Sequence, residues 1–464
     1  MSTLPSSAPP ASTAGSVPPR LPGMGGARLR AIVEWALIAA SYIVLFFGTH
    51  WVGGDGGHRF DAVSRLLSRG DLRGPIEDTR YSIVGPLFSA PLWYLGKARL
   101  GDPRLGCAYY NWLLFGVFLV VVARLLKNLL APSTVRRVLL LLVAGSMFPN
   151  HVLAYYAEVF TAVCVGAGVL CVCTRRAAWA GWTAIVLGTV NTPAVGIGAG
   201  LVCLSFVLGN RRLRFVIPVL AIVALFALEA WLRRSGKSGY EGVSQNQTLM
   251  PYSGRPGFSY PIFLGLLSVL FSFGKGIAFY APGVFAKVGD LLGDKPELMK
   301  TYRAWLLFLA GTIVVYSKFC GWYGGEFWGP RYMLFASVPA SFALALNLEV
   351  RRSVSRSILT LAMLTLSIWI GADGLVFGQA QMGQCWANGY ALEHLCWYVP
   401  EFAAWIRPFV VHRALDTKDL LCLGVYTAVY AYLAAPIVAF VLRALVTKCE
   451  PHVRRTLDWR QWSL

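Results

Sequence analysis

The chain has 464 residues, 56% hydrophobic and only 14% charged, with a formal net charge of +20 at pH 7. A soluble protein carries about a quarter charged residues. Apolar runs of about 20 residues between short basic loops therefore exclude a string of soluble domains and predict an all-α polytopic membrane protein. The positive charge does not mark a nucleic-acid partner, because the basic residues lie between apolar runs and form neither a tail nor a patterned basic motif.

Residues 1–27 are rich in Ser, Pro, Ala and Gly without apolar periodicity, so a disordered cytoplasmic leader is expected there. The first apolar run starts near Ala31 and no A-x-A-like site closes it, which predicts a retained helix rather than a cleaved signal. Spans are predicted at about 31–49, 107–126, 137–154, 156–174, 178–192, 194–209, 215–232, 276–293, 304–320, 332–349, 357–376 and 420–446, a bundle of about 11–13 helices. Arg28, Arg30, Lys127, Arg136, Arg137, Arg175, Arg176, Arg211, Arg212, Arg214, Arg351, Arg352, Arg356, Lys448, Arg454, Arg455 and Arg460 then all fall on one side, read as cytoplasmic. The expected division is the leader 1–27, a transmembrane module 28–376 with outer loops 50–106, 233–275 and 321–331, an outer loop 377–419, and a last helix with a basic tail, 420–464.

The outer loops are also basic. Loop 50–106 holds Arg59, Arg65, Arg69, Arg73, Arg80, Lys97, Arg99 and Arg104. Snorkelling toward lipid headgroups explains that charge, and so does binding of a phosphate-bearing substrate. Within this loop, Phe60, Val63, Leu66 and Leu67 recur at helical spacing and predict an amphipathic interfacial helix over 59–69. The run 84–96, interrupted by Pro86 and Pro91, predicts a second. The apolar run 258–273 is expected to lie flat or re-entrant, because a full span there would break the charge parity of everything after it.

Four constellations carry chemistry. Asp55, flanked by Gly53, Gly54, Gly56 and Gly57, is a candidate general base on an acceptor hydroxyl, or else caps the helix that follows. Asp61 is a second candidate acid, or an ordinary ion pair with Arg65 at i+4. Arg331, in GWYGGEFWGPRYM with Trp322 and Glu326, suits a phosphate, as do Lys275 in FGKGIAFYAP and Arg59; each could equally be a headgroup anchor. Tyr156, Glu158 and Tyr280 are candidate substrate contacts beside them. The ten cysteines show no metal-ligand spacing, and Cys385 and Cys396 in the late outer loop could pair, with Cys320 a competitor. There is no P-loop, H-E-x-x-H, G-x-S-x-G or Rossmann fingerprint.

The pattern D-x-x-x-x-F-x-A-x-x-R-L-L-x-x-G-D beginning at Asp55 resembles the first outer loop of the GT-C glycosyltransferases, which include aminoarabinose transferases and protein O-mannosyltransferases. YSIVGPLFSAPLWYLG resembles that family's proline-bearing juxtamembrane helix. LFSFGKGIAFYAP and WYGGEFWGPRYML resemble two segments of its bacterial members. The resemblance implies a GT-C-like bundle in the inner membrane, with Asp55 at the catalytic acidic position. It implies transfer of one sugar from a polyprenyl-phosphate carrier to a hydroxyl of a glycan, lipid or protein on the outer face, with inversion. No nucleotide is implied. Because Gly56 replaces the family's frequent second acidic residue, a divalent metal is not required either. Two rivals remain: a lipid-linked glycan polymerase or ligase using His394, Arg407, His412 and Arg413, and a transporter or flippase using Glu229 and Asp373.

Overall fold

A computed structural model describes residues 24–75, 78, 80–233, 246–350, 353–378 and 382–457. Most of the expected leader, Arg351, Arg352 and Arg460 lie outside these residues, whereas 24–27 begin the first helix.

The described chain is helical, without a strand ladder. In order come α1 (Met24–Phe46), α2 (Gly54–Arg69), α3 (Tyr110–Leu126), α4 (Pro132–Ala144), α5 (Ala157–Cys173), α6 (Ala178–Asn191), α7 (Gly196–Asn210), α8 (Ile217–Arg233), α9 (Ile262–Phe271), α10 (Pro296–Lys318), α11 (Ser337–Glu349), α12 (Val354–Val376) and α13 (Thr417–Leu457). Eight helices among the described residues, those built on α1, α3, α7, α8, α10, α11, α12 and α13, are long and apolar enough to cross a membrane. The protein is an all-α polytopic membrane protein. Every residue of α11 from Ser337 to Leu348 is buried, so α11 stands at the centre. α8 instead shows Leu220, Val223 and Trp231 outward, as a lipid-facing helix does.

The predicted span 276–293 is not a membrane-length helix. It holds one short helix, Ile277–Tyr280, and 3-10 turns at Pro282–Phe285 and Gly289–Leu291. Pro282 and the glycines interrupt helical bonding, and Gly283 lies so close to α11 that a Cβ there would stand 2.4 Å from the Ala340 carbonyl. The stretch still runs the length of the bundle. Lys275 lies against residues 325–329, and the Lys287 carbonyl accepts from Asn347 at 3.2 Å and Arg356 at 2.9 Å. Irregular backbone at that depth is tolerated because protein surrounds it. By contrast, α9 begins and ends at one end of the bundle. Tyr260 N donates to Lys318 O at 3.1 Å, and Gly274 N donates to Trp397 O at 3.0 Å.

The two ends differ in chemistry. At one, Glu34 of α1 is buried against Arg136 of α4 and accepts from Tyr432 of α13 at 2.9 Å. Arg137 bonds Glu349 at 3.1 Å. These pairs pin α1, α4, α11 and α13 together. At the other end α2 lies on two short helices, Val84–Leu87 and Ala90–Leu95, with Phe60, Ala62 and Val63 buried. An isolated parallel bridge joins Trp51 to Ala154. Gly56 packs on the Tyr155 carbonyl, which a Cβ would approach to 2.2 Å. The expected interfacial helix at 84–96 is two short helices, Val84–Leu87 and Ala90–Leu95.

Candidate functional site

Asp55 lies in the first turn of α2. The cap position belongs to Gly53, and no side chain bonds the free amides, so Asp55 is not spent on capping. Gly54 has φ +52°, the left-handed region where glycine carries no steric cost. The Asp55 carboxylate meets two partners from distant segments. Arg331 Nη2 donates to Oδ2 at 2.7 Å, and Tyr81 OH donates to Oδ1 at 2.9 Å. Burial alone would raise the carboxyl. The charge and hydrogen bond of Arg331, with Tyr81 and Arg59, outweigh it and hold Asp55 down to about 2. Burial and the facing carboxylate push Tyr81 up to about 12.

The loop that presents Tyr81 is fixed from α8. Ile83 N donates to the buried Glu229 at 2.6 Å, and Arg233 Nη1 donates to Tyr81 O at 2.6 Å. Arg59, one turn beyond Asp55, donates to Ser82 O at 2.7 Å, with its guanidinium 5.0 Å from the Tyr81 ring centroid. Arg59 is therefore a support of the Asp55 environment rather than a lining residue of the cavity.

Arg331 is buried and opens the 3-10 turn Arg331–Ala336 that leads into α11. Phe327, Tyr332 and Tyr156 surround its guanidinium, with ring centroids at 4.4, 5.0 and 5.6 Å. Glu158 Oε1 is 3.9 Å from Nε, close enough for charge attraction but not for a hydrogen bond. Nε and Nη1 are shielded from water and have no hydrogen-bond partner. Of the three guanidinium nitrogens, Nη2 is engaged by Asp55 and by Tyr332 OH at 3.3 Å, while the donors on Nε and Nη1 are spare, which describes a group able to take a further anion.

Asp55 and Arg331 line a cavity of about 780 Å³ together with Tyr156, Glu326, Asn150 and Trp328. Trp328 is fixed from below by Asp373, which accepts from its indole at 2.7 Å. Asn150 bridges to the Gly374 carbonyl at 2.8 Å. Glu326 accepts from Tyr390 OH. Among the described residues no group of three or more His, Cys, Asp or Glu side chains could hold a metal ion.

Four expectations change. Lys275 is only 3% exposed and donates to the carbonyls of Gly325, Phe327 and Gly329. All three ammonium protons are used, so it shapes the 325–329 loop and leaves nothing for a phosphate. Burial pushes it down to about 7 against the pull of Glu393. Asp61 is on the outside of α2 in an ion pair with Arg104 at 2.7 Å, not with Arg65, which bonds Asp78 at 2.6 Å. Trp322 is buried among Tyr323, Trp397 and Tyr398, away from the cavity. Tyr280 is buried beneath Trp328, their ring centroids 5.2 Å apart. In the late loop Cys385 and Cys396 are joined by a disulfide, in which Cys320 takes no part.

Several cavity groups carry no sequence signal of their own. Tyr81, Asn150, Asn246 and Glu393 reach the site from four separate stretches, and they are joined by Tyr323 of the GWYGGEFWGPRYM segment and by Arg413, which the sequence offers only to the polymerase or ligase reading.

No family model matches the chain, and no curated protein matches it. Two solved structures do. ArnT from Cupriavidus metallidurans bound to undecaprenyl phosphate is 14% identical, with a TM-score of 0.48, over 89% of this chain and 78% of that one. ArnT from the same organism in the apo state is 16% identical, with a TM-score of 0.47 over the same shares. At this degree of likeness the functional reading rests on the residues of this chain.

Proposed function

We propose that the chain is a GT-C-type integral-membrane glycosyltransferase. It moves one sugar from a polyprenyl-phosphate donor to an acceptor hydroxyl on the outer face of the inner membrane. The observation that carries the reading is the buried Arg331, bonded to Asp55 on one side and left with unsatisfied donors on a cavity-lining group.

The chemistry follows from that sharing. Donor phosphate competes with Asp55 for the guanidinium. As Arg331 turns to the phosphate, burial dominates Asp55 and its basicity rises. Asp55 then accepts the proton of the attacking hydroxyl. The acceptor oxygen bonds the anomeric carbon as the carbon–oxygen bond to the carrier phosphate breaks, and the leaving charge stays on the phosphate beside Arg331. One displacement inverts the anomeric centre. Arg136, Arg137 and Arg356 at the opposite end favour a cytoplasmic location for that end.

One observation favours the polymerase or ligase reading: Arg413 of the late loop lines the same cavity. Of the two acids in the transporter reading, Glu229 binds Ile83 and Asp373 binds Trp328, each through one carboxylate oxygen.

The test is transfer by the purified chain in vesicles holding a radiolabelled polyprenyl-phosphate sugar. A single added sugar is expected, with transfer lowered at least about a hundredfold in Asp55→Asn. A ladder of products would select the polymerase. Undiminished transfer in Asp55→Asn would remove Asp55 as the base.

A further inference from the structure

The late loop contributes a group that the transfer chemistry above does not use. Glu393 belongs to the cavity wall and has no solvent exposure. Its Oε2 accepts from Asn246 Nδ2 at 3.2 Å, and its Oε1 has no hydrogen-bond partner. A buried carboxylate oxygen without a donor is costly, so it favours a ligand that brings one. Burial raises this carboxyl, opposed by Asn246, by the charge of Lys275 and by the Tyr323 hydroxyl that approaches the carboxylate.

The backbone around Glu393 is tightly held. Cys385–Cys396 closes the segment, with Cα atoms 6.2 Å apart. Asn388, Gly389 and Tyr390 are all left-handed, at φ +52°, +65° and +70°, and that turn carries Tyr390 to Glu326. Leu249 N bonds Ala391 O at 3.1 Å. Trp397 stacks on Tyr323, another wall residue, at 4.1 Å. Gly274 sits where a Cβ would be 1.9 Å from the Cys396 carbonyl, so this closed loop seats directly on the segment carrying Lys275.

Charge then separates the cavity into two recognitions. Arg331 bonds neither Glu393 nor Glu326; among the described residues its acidic neighbours are Asp55 and Glu158. A carboxylate repels a phosphate, so the wall bearing Glu393 and Glu326 faces the uncharged, hydroxyl-rich part of a ligand whose anionic part lies at Arg331. A sugar phosphate ester has both parts.

We propose that Glu393 is a specificity-determining residue that accepts a hydrogen bond at Oε1 from a hydroxyl of the sugar on the donor, and that the Cys385–Cys396 bridge is what holds it there. This rests on the polyprenyl-phosphate reading above. A site that lacks one charged hydrogen bond to its sugar loses about tenfold to a hundredfold in affinity.

The experiment measures binding to the full chain in nanodiscs. The probes are bare polyprenyl phosphate and a panel of polyprenyl-phosphate pentoses and hexoses. The increment that the best sugar adds over the bare carrier is the readout. Glu393→Ala, and separately Cys385→Ala with Cys396→Ala, should cut that increment by about tenfold or more while bare-carrier affinity stays within about twofold. The disulfide variant keeps the test open should Glu393→Ala fail to fold. An unchanged increment in the folded variants overturns the assignment. So does an equal loss of bare carrier and sugar-loaded carrier, which marks a purely structural role. If the unaltered chain binds no polyprenyl phosphate at all, the donor reading itself falls and takes this assignment with it. If it binds the carrier and only the Glu393 increment fails to respond, the donor reading stands alone.

Discussion

Asp55 is held by two side chains that lie 26 and 276 residues away in sequence. Its local setting, a glycine-rich turn after an apolar run, was legible in the sequence, and so was the suitability of Arg331 for an anion. Their bond to each other was not, because a side-chain contact between two loops leaves no period in either. The bond also decides the pH behaviour. With its carboxyl lowered to about 2, Asp55 contributes stability that is complete above its ordinary value near 4 and is lost as the pH falls through about 2. Replacing Arg331 by Met removes the opposing charge while burial, which raises the carboxyl, remains. The acid limb of residual transfer activity should therefore move to higher pH than in the unaltered chain, and carrier affinity should fall by more than about tenfold. Rate–pH profiles with carrier titrations check both, and an acid limb that stays in place would show that Arg331 does not govern Asp55.

Lys275 shows what is decided at the element scale. Its place between two glycines at the start of an apolar run reads as a point charge offered to a phosphate. In the fold, the 325–329 loop closes over it and three carbonyls occupy its ammonium. Backbone carbonyls have no sequence identity, so no residue pattern could announce them. Lys275→Met strands all three acceptors and should lower stability by roughly 2–5 kcal/mol, read as a lowered melting temperature in detergent. Lys275→Arg should not restore it, because a planar fork cannot match the ammonium's three directions. The stretch 276–293 makes the same point from composition. It is apolar enough to span and does run between the two ends, but Pro282 and the close approach of Gly283 to α11 keep it from being a helix. α2 is the counter-example. The spacing of Phe60 and Val63 placed its buried face correctly, since a 3.6-residue period is a property of the helix itself.

At the scale of the whole molecule, two charged ends are separated by an apolar bundle. Glu34, Arg136, Arg137 and Glu349 lock one end, and the Asp55–Arg331 cavity occupies the other. Cysteines introduced one at a time beside Thr49 and at Arg212 should differ in reaction with an impermeant maleimide added from outside. The first should label in intact cells and the second only after permeabilisation. Labelling at Arg212 in intact cells would invert the proposed orientation.

Composition, apolar run length and loop charge by themselves determined that this chain is a helical membrane protein, where most helices fall and where Asp55 sits in its turn. Those properties follow from the solvent and from local periodicity, which act on each stretch independently. Only the tertiary structure decided which loop groups meet: Arg331 and Tyr81 on the Asp55 carboxylate, Glu393 with Asn246 in the same cavity wall, and Lys275 away from it under a cage of carbonyls. Packing made that choice, because helix ends brought together across hundreds of residues set which polar groups find partners and which are left facing the cavity.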